Sequence, residues 1–283
     1  VVTYHTDDGF PQRLAAVSSQ VDRVLIVDNN SGPETLSHLK LLSEDSNIEL
    51  IANDDNLGVG AALNQGVDWA RARGYAWLLT LDQDTLIVDG VIDTFAEVYE
   101  SCAGGRDIAL IGSNYIDKLT RASFVLVEAP DGRPCIDVLT VITSGTLVSI
   151  ATAREIGPFR EEFFIDDIDY EYCLRAKQKG YGVVITRRPL MEHTVGVPRY
   201  HKFLGKRLIT PHLPAHRRYY MSRNQTVLTR EYRRAEPAWI KWMTRVRIKE
   251  LILVLLFEKD KLNKMCKTIR GVYDGLTGRM GRL

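Results

Sequence analysis

Asp82 and Asp84, separated by one residue, follow directly on the apolar run Ala76-Trp-Leu-Leu-Thr-Leu81. Two carboxylates so spaced offer hard oxygen ligands to Mg²⁺ or Mn²⁺, ions that take phosphate oxygens to complete their shell. An Asp pair can also merely solvate a turn or cap a helix; its place at the end of a hydrophobic strand favours the metal. A second acidic group, Phe164-Ile-Asp-Asp-Ile-Asp-Tyr-Glu171, holds four carboxylates in six positions. The preference of helix N-termini for acidic side chains accounts for part of that density. A carboxylate that takes a proton from a hydroxyl is the chemical alternative, since crowded like charges raise a pKa toward the working range of a general base.

Other residues fit beside these. Asp28 ends the run Val24-Leu-Ile-Val27, where it can accept from the N–H of a pyrimidine base or simply close an Asx turn. Asn56-Leu-Gly58-Val-Gly60 precedes a helix, and its glycines allow either close approach to a nucleotide sugar or a tight strand-to-helix turn. His193, after a short strand, can complete a metal site as neutral imidazole. Arg217, Arg218 and Arg223, in a Tyr-rich helical segment, carry guanidinium groups suited to embracing a diphosphate, or to forming a solvated helix face.

The elements that must position these groups follow from periodicity. Val24–Val27, Ile48–Ile51 and Ala76–Leu81 are short β-rich runs alternating with helix-period segments, which argues for βαβ units and a mostly parallel sheet. Leu63, Val67 and Ala70 mark a helix that Gly74 stops. Asp28, the Asn53–Asn56 cluster and Asp82–Asp84 then lie beyond strand carboxyl ends, where open α/β sheets bind ligands. Residues 136–150 read as strand, 168–179 as a helix, 182–186 as a further strand, and 195–216 as a basic loop.

The 283 residues, 45% of them hydrophobic, suffice for one large or two small domains. A net charge of +1 conceals an acidic stretch, 14 Lys+Arg against 29 Asp+Glu over residues 1–186, and a basic one, 23 against 7, after it. That asymmetry points to an anionic partner, a diphosphate or a membrane surface, and no feature suggests nucleic acid. Cys102, Cys135, Cys173 and Cys266 are scattered without C-x-x-C spacing, so neither zinc nor a disulfide framework is expected, and a reducing cytosol fits. The chain opens on Val within a strand-like run, implying a few preceding residues, and shows no signal peptide. Its longest apolar run, Leu251–Phe257, falls short of the roughly 20 residues a span needs. Residues 237–270 combine Trp, Leu and basic side chains as an interfacial helix does, so peripheral attachment to the cytoplasmic leaflet is expected.

In this order, Asp28, Asn56-x-Gly-x-Gly60, Leu-Asp-Gln-Asp84, Thr-Ser-Gly145, Phe-Ile-Asp-x-x-Asp-x-Glu171 and Arg-Tyr-Tyr-x-x-Arg-Asn224 resemble the inverting family-2 glycosyltransferases of GT-A fold, most of all bacterial rhamnosyltransferases. The resemblance covers residues 1–230. It implies a Rossmann-like nucleotide half (1–115), an acceptor half with a basic loop (116–236), and a basic helical region (237–283). It also implies that Asp28 reads the base, that Asp82, Asp84 and His193 hold the metal, and that Ser144, Gly145 and Glu171 lie near the acceptor. Asp169 becomes the base, with Asp166 and Asp167 as substitutes. The implied reaction transfers L-rhamnose from dTDP-L-rhamnose to a hydroxyl of a growing cell-surface glycan or lipid-linked acceptor. UDP-galactofuranose, UDP-glucose or UDP-N-acetylglucosamine are the rival donors, and a non-catalytic nucleotide- or glycan-binding module is the rival class.

Overall fold

The structure, a computed structural model, describes residues 1–117, 123–125, 132–193, 199–203, 205–210 and 212–283. It forms two compact units, Val1–Glu161 with Ile168–His193, and Glu162–Asp167 with Thr194–Leu283. The division expected between residues 236 and 237 lies inside the second unit.

In the first unit, β1 (Val2–Thr3), β2 (Val24–Asp28) and β3 (Ile48–Ala52) form a parallel sheet in that order, connected through α1 (Phe10–Ser18) and α2 (Pro33–Leu42). All five residues of β2 are buried, which is why Val24–Val27 run apolar without alternation before Asp28. Then come α3 (Val59–Ala72), β4 (Trp77–Thr80), β5 (Leu86–Ile87), α4 (Val91–Cys102), β6 (Ile108–Asp117), β7 (Cys135–Asp137), β8 (Thr146–Ser149), α5 (Ile150–Ile156), α6 (Ile168–Gln178) and β9 (Gly182–His193). The parallel expectation fails for the third run, since β4 pairs antiparallel with β8. A second sheet runs β4-β8-β6-β9-β5, with β7 on β9, and among the described residues only β6 and β9 pair parallel within it. A parallel bridge from Val2 to Asp82 still ties β1 to the chain leaving β4, through the Val2 N–H to the Leu81 carbonyl at 3.1 Å.

The stretch 136–150, expected as one strand, is broken between β7 and β8. Gly145 turns there with φ +70°, and a Cβ on it would sit 2.5 Å from the sulfur of Met191. Phe10, Leu14, Ile26, Leu39, Phe95 and Ile111 belong to the core beneath these elements. Cys102, ending α4, and Cys135, in β7, form a disulfide across 33 residues, contrary to the expectation of unpaired thiols. Spacing could not reveal it, because the fold and not the local chain brings those ends together. Cys173 is a free buried thiol and Cys266 a free exposed one.

The second unit holds the hairpin β10 (Arg199–Phe203) and β11 (Lys206–Thr210), where a loop was expected, and α7 (Ala215–Tyr232), α8 (Pro237–Phe257) and α9 (Lys261–Thr277). Residues 195–198, 204 and 211 of that expected loop lie outside the described residues. Among the described residues, no helix is long and apolar enough to cross a membrane. Helix α9 meets α7 backbone to backbone at Gly271 and Gly275, where a Cβ would come within 2.3 Å of the Tyr219 carbonyl oxygen and 2.6 Å of that of Arg223. Backbone cannot swing aside as a flexible side chain can, so Gly271→Leu should force the helices apart and cost about 1–3 kcal/mol. Thermal unfolding should show the midpoint several degrees lower; an unchanged midpoint would refute the close crossing.

Candidate active site

Asp82, Gln83 and Asp84 lie on the turn after β4. Three independent anchors hold its backbone. The Asp82 N–H donates to Ser144 Oγ at 3.0 Å, and that hydroxyl pairs with Thr85 Oγ1 at 2.6 Å. Gln83 bridges to the end of β1: its Oε1 accepts from the Tyr4 N–H at 2.7 Å, and its amide donates to the Tyr4 and His5 carbonyls at 3.1 and 3.3 Å. Arg13, from α1, donates through Nε to the Gln83 carbonyl at 2.7 Å. The carboxylates flanking Gln83 are half-buried at Asp82 and exposed at Asp84.

Such a turn suits a hard divalent ion. It supplies two carboxylates on a backbone that is pinned from three sides, and among the described residues no cluster of three His, Cys, Asp or Glu side chains encloses a metal. Two carboxylates would leave most of such an ion's oxygen shell to other ligands. His193 ends β9 opposite Asp117, and its side chain lies outside the described residues.

Ser144 departs from its expected place near an acceptor. It is 1% exposed and works from beneath the turn, so its role is to support Asp82. Gly145 joins the same frame, its N–H on the Thr80 carbonyl at 2.8 Å and its carbonyl accepting from Ser113 at 2.7 Å. Gln83, Arg13 and Thr85 were not singled out by the sequence. Gln and Thr after a strand carry no pattern, and the Arg13 contact spans 70 residues.

Asp28 closes β2 as an Asx turn. It is buried, its Oδ2 accepts from the Ser31 N–H at 3.0 Å, and its Oδ1 accepts from Thr3 Oγ1 at 2.8 Å and from the Ser31 hydroxyl. The neighbouring Asn29 reaches the Gly58 carbonyl at 3.2 Å and Asn53 at 3.1 Å, and Asn53 exchanges hydrogen bonds with Gln65 of α3. Asn56 Oδ1 accepts from the Gly58 N–H at 3.0 Å, and Gly58 starts α3 at φ 87°, a conformation that side chains oppose. A Cβ on Gly60 would lie 2.8 Å from the Arg160 carbonyl oxygen, so that glycine serves close packing. Asp28, Asn56 and Gly58 thus share one polar edge beyond β2 and β3.

The acidic segment is sorted by its partners. Glu171, 2% exposed, takes both ends of Arg175 at 3.0 and 2.8 Å, and Arg175 also donates to the Ile156 and Pro158 carbonyls. That pairing makes Glu171 a brace for α6 rather than an acceptor contact. Asp169 is half-buried in the first turn of α6. It lines one small cavity with Thr80, Val141, Thr143, Thr146 and Tyr172, hence beside the strand end that leads into Asp82. A larger slot walled by Leu25, Trp69, Trp77, Leu79 and Phe95 includes none of the expected site residues.

In the second unit, Asp166 pairs with Arg217, and Asp167 with Arg247 of α8 at 2.7 Å. Phe164, Asp166 and Asp167 all have φ between 61° and 67°, a costly region for these residue types. Asn224 offsets that cost by donating to the carbonyls of Phe163, Ile165 and Asp166 at 3.1, 3.0 and 2.8 Å. Arg223, fully buried, donates to the Glu162 and Phe163 carbonyls at 2.8 and 2.9 Å and to that of Gly281. Arg218 is also buried and pairs with Glu250 at 3.0 Å. Neither guanidinium is presented to a diphosphate as expected; both are engaged by protein acceptors inside their unit.

Against these details stand the known proteins. Residues 1–123 match the model for Glycosyl transferase family 2. The chain is 26% identical over 301 residues to the dTDP-rhamnosyl transferase RfbF of Shigella flexneri, across 99% of this chain and 95% of that one. S. aureus TarS superposes with a TM-score of 0.63 at 15% identity, over 98% of this chain and 48% of TarS, so the chain spans about half of that longer protein. A shorter form of TarS, residues 1–349, is solved with UDP-GlcNAc, at a TM-score of 0.58 and 13% identity over 98% of this chain and 79% of that one. The mannosyltransferase PcManGT of Pyrobaculum calidifontis, solved with GDP-Man and Mn²⁺, gives 0.60 at 13% identity, over 98% and 86%. The fold is that of the GT-A glycosyltransferases. Within it, residues 1–123 are similar to the family-2 glycosyltransferases, and nearly the whole chain is similar to a rhamnosyltransferase.

Burial pushes the Asp167 carboxyl up to about 6 from 3.8, against the downward pull of Arg247 and with a further upward push from Asp166. Its Oδ2 has no hydrogen-bond partner among the described residues. A raised acid pKa favours folding while the group is protonated, below about pH 4, and that advantage is lost as pH climbs through 6. Asp167→Asn mimics the protonated form at every pH. Relative to the parent, its stability should therefore rise between pH 4 and 7, by on the order of 2 kcal/mol. Urea titrations across that range would show it; a constant difference would refute burial as the dominant influence.

Proposed function

We propose that the chain transfers L-rhamnose from dTDP-L-rhamnose, with inversion at C1, to a hydroxyl of a cell-surface glycan or lipid-linked acceptor. The donor reading rests on the near-full-length similarity to RfbF. What carries the chemistry is that Asp169 lines the cavity of Thr80 and Thr143, the residues just ahead of Asp82 and Ser144. A base at that point stands next to the strand end from which two carboxylates project.

In this reading Asp169 accepts the proton of the acceptor hydroxyl as its oxygen attacks C1. The bond from C1 to the phosphate oxygen breaks on the opposite face, and the nucleoside diphosphate leaves with the electron pair. A divalent cation, Mg²⁺ or Mn²⁺, held by Asp82 and Asp84 would neutralise charge on that leaving group. His193 enters as a third ligand by resemblance alone. The edge formed by Asp28, Asn56 and Gly58 is assigned to the nucleoside, with Asp28 shaping the Asn29–Ser31 loop through its Asx turn. Asp166 and Asp167, each tied to an arginine, are assigned to the frame. The UDP-GlcNAc complex of TarS keeps a UDP-sugar as the second reading, and nucleotide release from a donor panel separates the two.

Chelation by EDTA should abolish turnover and Mg²⁺ or Mn²⁺ restore it, while Asp84→Ala should stay inactive at any metal concentration. Full activity of Asp84→Ala in metal-free buffer would overturn the metal assignment.

Asp169→Asn should bind donor nearly as the parent does and lose roughly 10²–10⁴-fold in the chemical step. Single-turnover rates and donor titration read the two separately. Normal turnover by Asp169→Asn with an inactive Asp166→Asn would move the base to Asp166.

A further inference from the structure

Helix α8 is apolar on two faces. Trp239, Ile240, Met243 and Val254 are buried on the inner one, and Arg247 and Glu250 pair there with Asp167 and Arg218. At about 100° per residue, Trp242, Ile248, Ile252, Leu255 and Leu256 fall within an opposite arc of about 140°. All five are between 42% and 54% exposed. A helix that only packs on a domain needs one apolar face, and leaving a second in water is unfavourable. The same outer arc carries Lys241, Arg245 and Lys249, all exposed. Glu250 is the helix's one acidic residue, and it is paired inward.

We infer that this outer face of α8 docks on an anionic lipid surface, its apolar side chains entering the headgroup boundary and its three cations meeting lipid phosphates. Charge decides between the possible occupants. In a two-fold dimer through this face, the same cations would oppose one another with no carboxylate between them. An anionic headgroup layer satisfies the apolar and the basic side chains together. Docking would bring the enzyme to a lipid-linked acceptor without a membrane span. That benefit rests on the proposed acceptor, whereas the docking itself is measured without turnover.

The test is co-sedimentation of the full chain with vesicles of phosphatidylcholine containing 30% phosphatidylglycerol, against phosphatidylcholine alone. Binding is expected to the anionic vesicles only and to weaken at high salt. The triple variant K241Q/R245Q/K249Q should bind roughly 100-fold more weakly. Ile252→Ser with Leu256→Ser should also lose binding, because the hydrophobic contribution goes. Both variants alter exposed side chains, so melting midpoints should match the parent and certify the fold. Equal binding to neutral vesicles, no binding at all, or a stable dimer in solution that the Ser variant dissociates would each overturn the inference. Loss of donor turnover with intact vesicle binding would instead count against the proposed function alone.

Discussion

Two carboxylates one residue apart repel each other, and a turn that carries them will open unless its backbone is held from outside. That constraint organises the first unit. Ser144 accepts from the Asp82 amide, Gln83 bridges its side-chain amide to Tyr4 and His5, and Arg13 donates to the Gln83 carbonyl. Each anchor comes from a different element, so β1, α1 and the β7–β8 connection must all be in place before the acidic turn has a defined shape. The left-handed Gly145 belongs to the same requirement. The chain turns there at φ +70°, next to Ser144 under Asp82, while the Gly145 carbonyl accepts from Ser113. In the proposed reaction, pre-organisation of this kind would let charge be offered to a diphosphate without reorganisation.

The acidic segment shows the complementary device. Residues of one chemical type, set within six positions, are given different tasks by what surrounds them. Glu171 is neutralised by Arg175, Asp166 by Arg217, and Asp167 by Arg247 inside a buried setting that still drives its pKa upward. Asp169 keeps partial exposure at a helix N-terminus and a cavity wall. A general base has to meet both substrate and solvent, which the bidentate arginine pairs of Glu171 and Asp166 and the burial of Asp167 prevent. The arginines of α7 and α8 are therefore as much a part of the acidic segment as its own residues. Three non-glycine residues in the left-handed region would relax without the donors that Asn224 and Arg223 supply.

What could be read from the amino acids alone was the local part. Short β-rich apolar runs announced β2, β3 and β4, most plainly in β2, which is buried throughout and so has no polar side to show before Asp28. The 3.6-residue period announced α3 and α6, and polar residues after apolar runs announced the strand ends. Asp82–Asp84, Asp28 and Asn56-x-Gly58 were legible for that reason. Tertiary structure alone decided the partners. Ser144 meets Asp82 across 62 residues, Arg247 meets Asp167 across 80, and Cys102 meets Cys135 across 33. The antiparallel pairing of β4 with β8 belongs to the same class, since an apolar strand looks alike whichever way its neighbour runs. Arg218 and Arg223 read as surface cations until α8, α9 and the Phe163–Asp167 backbone enclose them. Periodicity records which side of an element is buried; it does not record what buries it, and the roles of the polar residues here depend on the latter.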